Sequence, residues 1–204
     1  MREMMKISVI LAHPHNGSFN YAIANTAAAT LREAGHTVFF HDLYAERFDP
    51  LLPHGEIPRD APLPPAITAH CSEIAVADGI VIVHPNWWGM PPAILTGWID
   101  RVIRAGVAYQ FAETDSGEGV PIGLLKAKAV IVFNTSNTPV QREQEVFGDP
   151  LERIWKDCIF SLCGVSVFYR KMFGVVVTST EEQRKEWLVE VRERVLEMFP
   201  PEPR

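Results

Sequence analysis

The sequence predicts a doubly wound α/β sandwich, with five parallel strands in the order 2-1-3-4-5 and helices on both faces. Three observations predict it. Short runs of apolar, β-branched residues alternate along the chain with longer segments whose apolar residues recur at 3.6-residue spacing. The opening reads strand, loop, helix, strand, which calls for a right-handed crossover and a parallel sheet. Ile80 to Val83, bounded by Asp78-Gly79 and Pro85, is a continuous apolar run, as expected of a strand covered on both faces.

Taken in order, Ile7 to Ala12 is the first strand, ending in His13-Pro-His-Asn-Gly-Ser-Phe-Asn20. An alanine-rich helix follows from Asn20 to Ala34, closed by Gly35. Thr37 to His41 is the second strand. Six prolines between Pro50 and Pro65 exclude a helix or central strand there, so this segment is an excursion over the surface. Ala66 to Val76 is a modest helix and Ile80 to Val83 the third strand. Pro92 then opens a helix carrying Ile94, Leu95, Trp98, Ile99 and Val102, which gives way near Gly106. Val107 to Phe111 enters a Gly-rich loop ending at Gly123. Lys128 to Phe133 is the fourth strand. Leu151 to Leu162 is helical, with Ile154, Trp155, Cys158, Ile159 and Leu162 on one face. The fifth strand lies between Val165 and Val177. Thr180-Glu-Glu caps a last helix whose buried stripe is Trp187, Leu188, Val191, Val195, Leu196 and Phe199, and Pro200-Pro201 ends it.

The 204 residues read as a single domain, 1–204, and 47% apolar residues argues against disorder. A net charge of −6, with Lys and Arg scattered, gives no electrostatic stripe for nucleic acid or an anionic membrane. No apolar segment approaches the ~18–20 residues of a membrane span. Met1 to Lys6 leads into a strand without a cleavage-site pattern, so no signal peptide is expected. Cys71, Cys158 and Cys163 form no C-x-x-C pair, and buried thiols in a cytoplasmic protein are expected.

In the order 2-1-3-4-5 the chain reverses direction between strands one and three, and open α/β sheets bind ligands at the carboxyl ends of such strands. Those ends are His13 to Asn20 and Pro85 to Pro91. The first loop has neither G-x-G-x-x-G nor G-x-x-x-x-G-K-[ST], which excludes the dinucleotide fingerprint and the triphosphate loop. It offers Ser18 at a helix start, with His13, Asn16, Gly17 and Asn20 around it. Two readings stand: Ser18 as a plain N-cap beside an Asn-Gly turn, or a helix N-terminus receiving an anion such as a flavin phosphate. The second loop sets Trp87 and Trp88 side by side between stiffening prolines, so at least one forms the wall of a pocket for a planar ring. Asn134 to Thr138 is a third polar loop at a strand end; alone it reads as a solvated turn. His13, His15 and His84 lack further ligands at metal spacing, and no metal is expected. Asp100 and Arg101 read as a solvent-side or capping pair. No nucleophile signature anchors a hydrolase.

Three stretches carry a family resemblance. They are Leu11-Ala-His-Pro with Gly17-Ser-Phe-Asn-Tyr-Ala22; His41-Asp-Leu-Tyr44 with Phe48-Asp-Pro50; and Pro85-Asn-Trp-Trp-Gly-Met-Pro-Pro-Ala-Ile-Leu-Thr-Gly-Trp-Ile-Asp-Arg-Val102. The chain resembles the flavodoxin-like NAD(P)H:quinone oxidoreductases over roughly Lys6 to Val177. The resemblance implies a homodimer with a flavin near the subunit interface, and two-electron reduction of a quinone by NAD(P)H in a ping-pong cycle. It matches His13, Ser18, Phe19 and Asn20 to the flavin phosphate loop. Pro85, Asn86, Trp87, Trp88 and Gly89 match the segment along the isoalloxazine ring, and Thr135, Ser136 and Asn137 the ring's other edge. Tyr109 and Phe111 match an aromatic pair that, with Trp88, forms the substrate pocket, reaching it from the neighbouring subunit.

One departure stands out. Mammalian members place a Tyr and a His six residues apart after the third loop, and aligning on Gly148-Asp149 puts Gln141 and Phe147 there. Neither exchanges a proton near neutral pH, although Gln141 can donate a hydrogen bond to a flavin carbonyl. A chain ending at Arg204 offers few groups for an adenine, which favours FMN. Asn20 and Asp100 match positions near the adenosine of FAD-binding relatives, so FAD is the alternative. The rival functions are a flavin-bound electron carrier and a redox-sensing regulatory subunit of a membrane transport system.

Overall fold

The computed structural model describes residues 4–111, 119 and 121–201. Most of the expected Gly-rich loop before Gly123 lies outside the described residues, as do residues 1–3 and 202–204. The elements follow in order as β1 (Lys6–Leu11), α1 (Phe19–Glu33), β2 (Thr37–Asp42), α2 (Pro65–Val76), β3 (Gly79–Pro85) and α3 (Ala93–Val102). A short ribbon, β4 (Tyr109–Gln110) with β5 (Ile122–Gly123), precedes β6 (Ala129–Thr135), α4 (Val140–Glu145), α5 (Pro150–Glu152), β7 (Val167–Phe173) and α6 (Glu181–Met198).

Five strands form one parallel sheet in the order β2-β1-β3-β6-β7, which is the expected 2-1-3-4-5. Strand alternation divides two cores. Ile7, Val9, Leu11, Val81, Val83, Ile131 and Phe133 meet α1 and α6 through Ile23, Ala27, Val191 and Val195. Ile10, Ile80, Ile82, Val130 and Val132 face the other way, onto Ile67 and Ile74 of α2, Leu95 and Trp98 of α3, and Trp155. Because β1, β3 and β6 are covered on both sides, they read as continuous apolar runs, the property that made them legible. The expected caps are present: Ser18 Oγ accepts the amide of Tyr21 at 3.3 Å, and Thr180 Oγ1 accepts that of Gln183 at 3.1 Å.

Four expectations need correction. The helix after α5 is a π-helix over Arg153–Phe160, with Ser161 N bonding Lys156 O. Its wider turn brings Trp155 and Phe160, five residues apart, onto the core and rotates Cys158 into solvent, so only Cys71 and Cys163 are buried. The helix from Pro92 ends at Val102, not near Gly106, because Arg104 reaches away to the carbonyls of Glu56 and Pro58 at 2.7 Å each. Arg101 is buried rather than solvent-side: its guanidinium grips Glu56 at 2.6 and 3.0 Å, and Asp100 takes no part. The proline-rich segment brings Glu56 there, pressing so close to α3 that a Cβ on Gly97 would lie 2.1 Å from Pro50 O. Finally, β4 and β5 pair antiparallel where only a loop was expected, since two-residue strands are too short to show a period.

Candidate functional site

Three chain segments meet above the carboxyl edge of β1, β3 and β6. The first is the turn from His13 to Ser18, closed by Ser18 N on His15 O at 3.1 Å and by His15 N on His13 Nδ1 at 3.1 Å. The first intrahelical backbone bond of α1 is made by Ala22 to Ser18 O, so the amides of Phe19 and Asn20 precede it at the positive end of the helix. Burial lowers the pKa of the His13 imidazole, and the neighbouring His15 adds to this against a backbone hydrogen bond.

The second segment is a closed turn. Trp87 N and Met90 O pair at 3.1 Å and Met90 N and Trp87 O at 3.0 Å, with Trp88 and Gly89 both left-handed (φ 62° and 72°). Asn86 fastens it by accepting the Gly89 amide at 3.0 Å and donating to Glu143 Oε1 at 2.9 Å. The tryptophans therefore leave the core: Trp87 is 41% exposed and Trp88 95%. Below the turn, His84 is fully buried between Pro85 O at 2.8 Å and the indole N–H of Trp155 at 3.0 Å. Burial pulls its pKa to about 4, with the Arg170 charge in the same direction, so it is a neutral support.

The third segment follows β6. Asn86 N bonds Thr135 O at 2.6 Å, Thr138 N bonds Ser136 Oγ at 3.0 Å, and Val177 N bonds Asn137 Oδ1 at 2.9 Å. The buried Asn20 side chain donates to Thr135 Oγ1 at 2.9 Å, tying the first segment to the third.

The result is a cleft of about 410 Å³ lined by His13, Ser18, Phe19, Asn20, Pro85, Asn86, Trp87, Thr135, Ser136 and Asn137, with Thr138, Val176 and Val177. It runs from the α1 N-terminus, where unpaired amides meet the positive end of the helix, to Trp87, whose ring centroid stands 6.3 Å from that of His13. Trp88 and Gly89 line instead an adjoining cleft of about 520 Å³, with Asn86, Thr138, Glu143, Phe147 and Pro150. Tyr109 and Phe111 sit edge to face at 5.8 Å, apart from both clefts; Tyr109 borders a third, with Asp100 and Arg59. Gln141 is exposed, its amide on both oxygens of Glu145 at 3.1 Å.

Glu143 and the Val176-Val177 turn were missed from the sequence, whereas Phe147, singled out there at a helper position, does line the adjoining cleft. The missed residues join the site through contacts such as Asn86 to Glu143, 57 residues apart, for which no local pattern exists. A histidine cluster at the edge of β2 was also missed. His41 is held by Glu46 at 3.0 Å and Glu73 at 2.6 Å, and His70 Nε2 lies 3.3 Å from Glu46. Trp98 donates to His70 Nδ1 at 3.2 Å, so Nε2 carries the His70 proton toward Glu46; this is a hydrogen-bonded cluster, not a set of free metal ligands.

The sheet order, with a cleft at its switch point, defines an α/β protein of the flavodoxin-like class. The match to the family model described as "Flavodoxin-like fold" over residues 5–197 makes the membership specific: the chain belongs to this family, as its sequence motifs indicated. It is 36% identical over 181 residues to an uncharacterized NAD(P)H oxidoreductase of Haemophilus influenzae, covering 87% of both chains. It is 32% identical over 181 residues to NAD(P)H dehydrogenase [quinone] 1 of Rattus norvegicus, covering 78% of this chain and 65% of the rat protein. Among solved structures, the NAD(P)H:quinone oxidoreductase of Methanothermobacter marburgensis superposes with a TM-score of 0.79 at 25% identity, covering 95% and 96% of the two chains. The chain is thus an oxidoreductase of this family. No helix among the described residues is long and apolar enough to cross a membrane.

Proposed function

We propose that this chain, folded as one domain, reduces quinones or related acceptors with two electrons from NADH or NADPH, using FMN held in the 410 Å³ cleft. The observation that carries this is the convergence of three distant segments on one cleft with an anion-receiving end and an aromatic wall. The cofactor supplies hydride chemistry when bound. The chain's own residues hold and orient it. Ser18, His13 and the amides of Phe19 and Asn20 receive the phosphate without a cation. Trp87 and the Pro85 and Asn86 backbone face the ring, and Thr135, Ser136 and Asn137 border its opposite edge. Trp88, Gly89 and Phe147 wall the adjoining cleft in which reductant and acceptor take turns.

FMN is preferred to FAD because Asp100, the second residue matched to an adenosine site, opens on a different cleft, and the Asn20 amide is already bound to Thr135. Tyr109 and Phe111 complete the acceptor pocket of a partner subunit, which places the apolar surfaces of Trp88, Met90, Phe111 and Ile122 in a homodimer. Gln141 serves as a donor to the reduced ring once it leaves Glu145. The setting is cytoplasmic. An electron carrier is disfavoured because the acids of α6 alternate with Arg and Lys, with Glu181 paired to Lys185 and Glu190 to Lys171, instead of forming a uniformly acidic face.

The test is a spectrum of protein loaded with FMN or FAD, desalted, and mixed with NADH or NADPH without oxygen. A retained yellow chromophore that bleaches with nucleotide and returns with quinone is expected. Retention without bleaching would favour a carrier or sensor, and no retention would remove the cleft assignment.

A further inference from the structure

The wall of the acceptor-side cleft is built from Asn86, Trp88, Gly89, Thr138, Phe147 and Pro150, all uncharged, and one ionisable residue, Glu143. Glu143 is 5% exposed. One carboxylate oxygen accepts the Asn86 amide at 2.9 Å, and the other takes no partner among the described residues. Among the described residues no cation pairs with Glu143; Arg170 and Lys171, which border a neighbouring cleft with it, are committed to other acids. Asp149 and Glu152 are both bound to Arg170, and Gln141 covers Glu145. Arg142 is exposed, its guanidinium 5.5 Å from the centre of the cleft-lining Phe147 ring, where solvent and salt screen it more than they screen the buried carboxylate. An unneutralised carboxylate at a half-dry apolar wall repels anions over a longer reach than it would in water.

We propose that Glu143 is a specificity-determining residue: its carboxylate makes the acceptor-side cleft select neutral or cationic ring acceptors and reject anionic ones. The inference rests on the oxidoreductase reading above. Glu143 lies in sequence between Gln141 and Phe147, the two positions matched to the helper Tyr and His of mammalian relatives, and its carboxylate lets the chain sort acceptors by charge. Asn86 is the positioning residue, because its amide fixes the carboxylate while its carbonyl fixes Gly89.

The experiment compares the flavin-loaded protein and its E143Q variant, with NADH and three acceptors sharing one naphthoquinone ring: neutral, sulfonated, and bearing a quaternary ammonium. Two unit charges about 6 Å apart in a half-solvated cleft change affinity by roughly tenfold. The neutral-to-sulfonate ratio of kcat/KM is therefore expected to fall about tenfold in E143Q, chiefly through KM, and the ammonium acceptor to lose its advantage. The same shift is expected in dissociation constants read by quenching of the protein's tryptophan fluorescence, without turnover. In the wild type alone, raising salt from ~20 to ~500 mM should compress the ratio, since the Debye length shrinks from roughly 20 Å to under 5 Å. A ratio unmoved by E143Q, or by salt, while the neutral quinone is still reduced overturns the charge filter and leaves the oxidoreductase standing. Failure to reduce any acceptor overturns that reading, and the filter with it.

Discussion

Replacing His84 by glutamine should change how stability depends on pH far more than it changes the fold. His84 ends β3 under the ring-facing turn, with Pro85 O on one nitrogen and the Trp155 indole on the other. Its native pKa of about 4 lies below the ordinary value of 6.5 that the unfolded chain shows, because burial excludes the charged form. As pH falls through 6.5 the unfolded chain takes up a proton that the folded one refuses, so stability drops until the buried group itself titrates near 4. Linkage between these two values makes His84 alone cost about 2 kcal/mol between pH 7 and pH 5. In urea, that is a midpoint loss of about 1 M for a chain of this size. The replacing glutamine cannot titrate and still offers an acceptor to Trp155. The assay is urea unfolding of both proteins at pH 7 and pH 5, and the quantity of interest is the difference of the two differences. It must be a difference because His41 works oppositely: burial lowers its pKa, but Glu46 and Glu73 raise it above the ordinary value, so its stabilisation grows on acidification. Parallel pH dependence in the two proteins would refute the assignment of a neutral, buried His84.

Trp88→Ala should leave stability within about 0.5 kcal/mol, as an exposed side chain allows, while raising the Michaelis constant for quinones and leaving FMN retention intact; a large loss of stability would mean the indole is structural. Gly97→Ala should destabilise by about 2–3 kcal/mol by driving the Pro50 segment off α3, measured by thermal unfolding, and a neutral result would contradict the close approach. Glu56→Ala removes the buried carboxylate from the Arg101 guanidinium, leaving only the Asp49 carbonyl and its exposed carboxylate, and should cost about 3 kcal/mol; Arg101→Met in the Glu56→Ala background should recover part of it.

What the sequence could disclose was governed by range. β3 and β6 were visible because burial on both faces writes an apolar run into consecutive residues, and Ser18 and Thr180 because caps act over three residues. His13, Ser18, Trp87 and Thr135 fell into one cleft once strand order was known, since all four follow strand ends. Glu143 and the Arg101–Glu56 pair were not visible, because a polar residue inside a helix looks the same whether it meets water or a partner 45 or 57 positions away. The π-helix escaped for another reason: at α-helical pitch Trp155 shares its face with Cys158 and Phe160 lies roughly 140° away, and only the wider turn, which no local pattern announces, puts Trp155 and Phe160 together on the core.

The turn from Trp87 to Met90 closes its own backbone hydrogen bonds and is fastened by a single side chain, Asn86. The indole of Trp88 and the side chain of Met90 hang from it into open space and contribute little to either core. The surface this turn presents is thereby insulated from the packing that keeps the chain folded, so side chains at positions 88 and 90 are free to vary without drawing on the stability of the sheet.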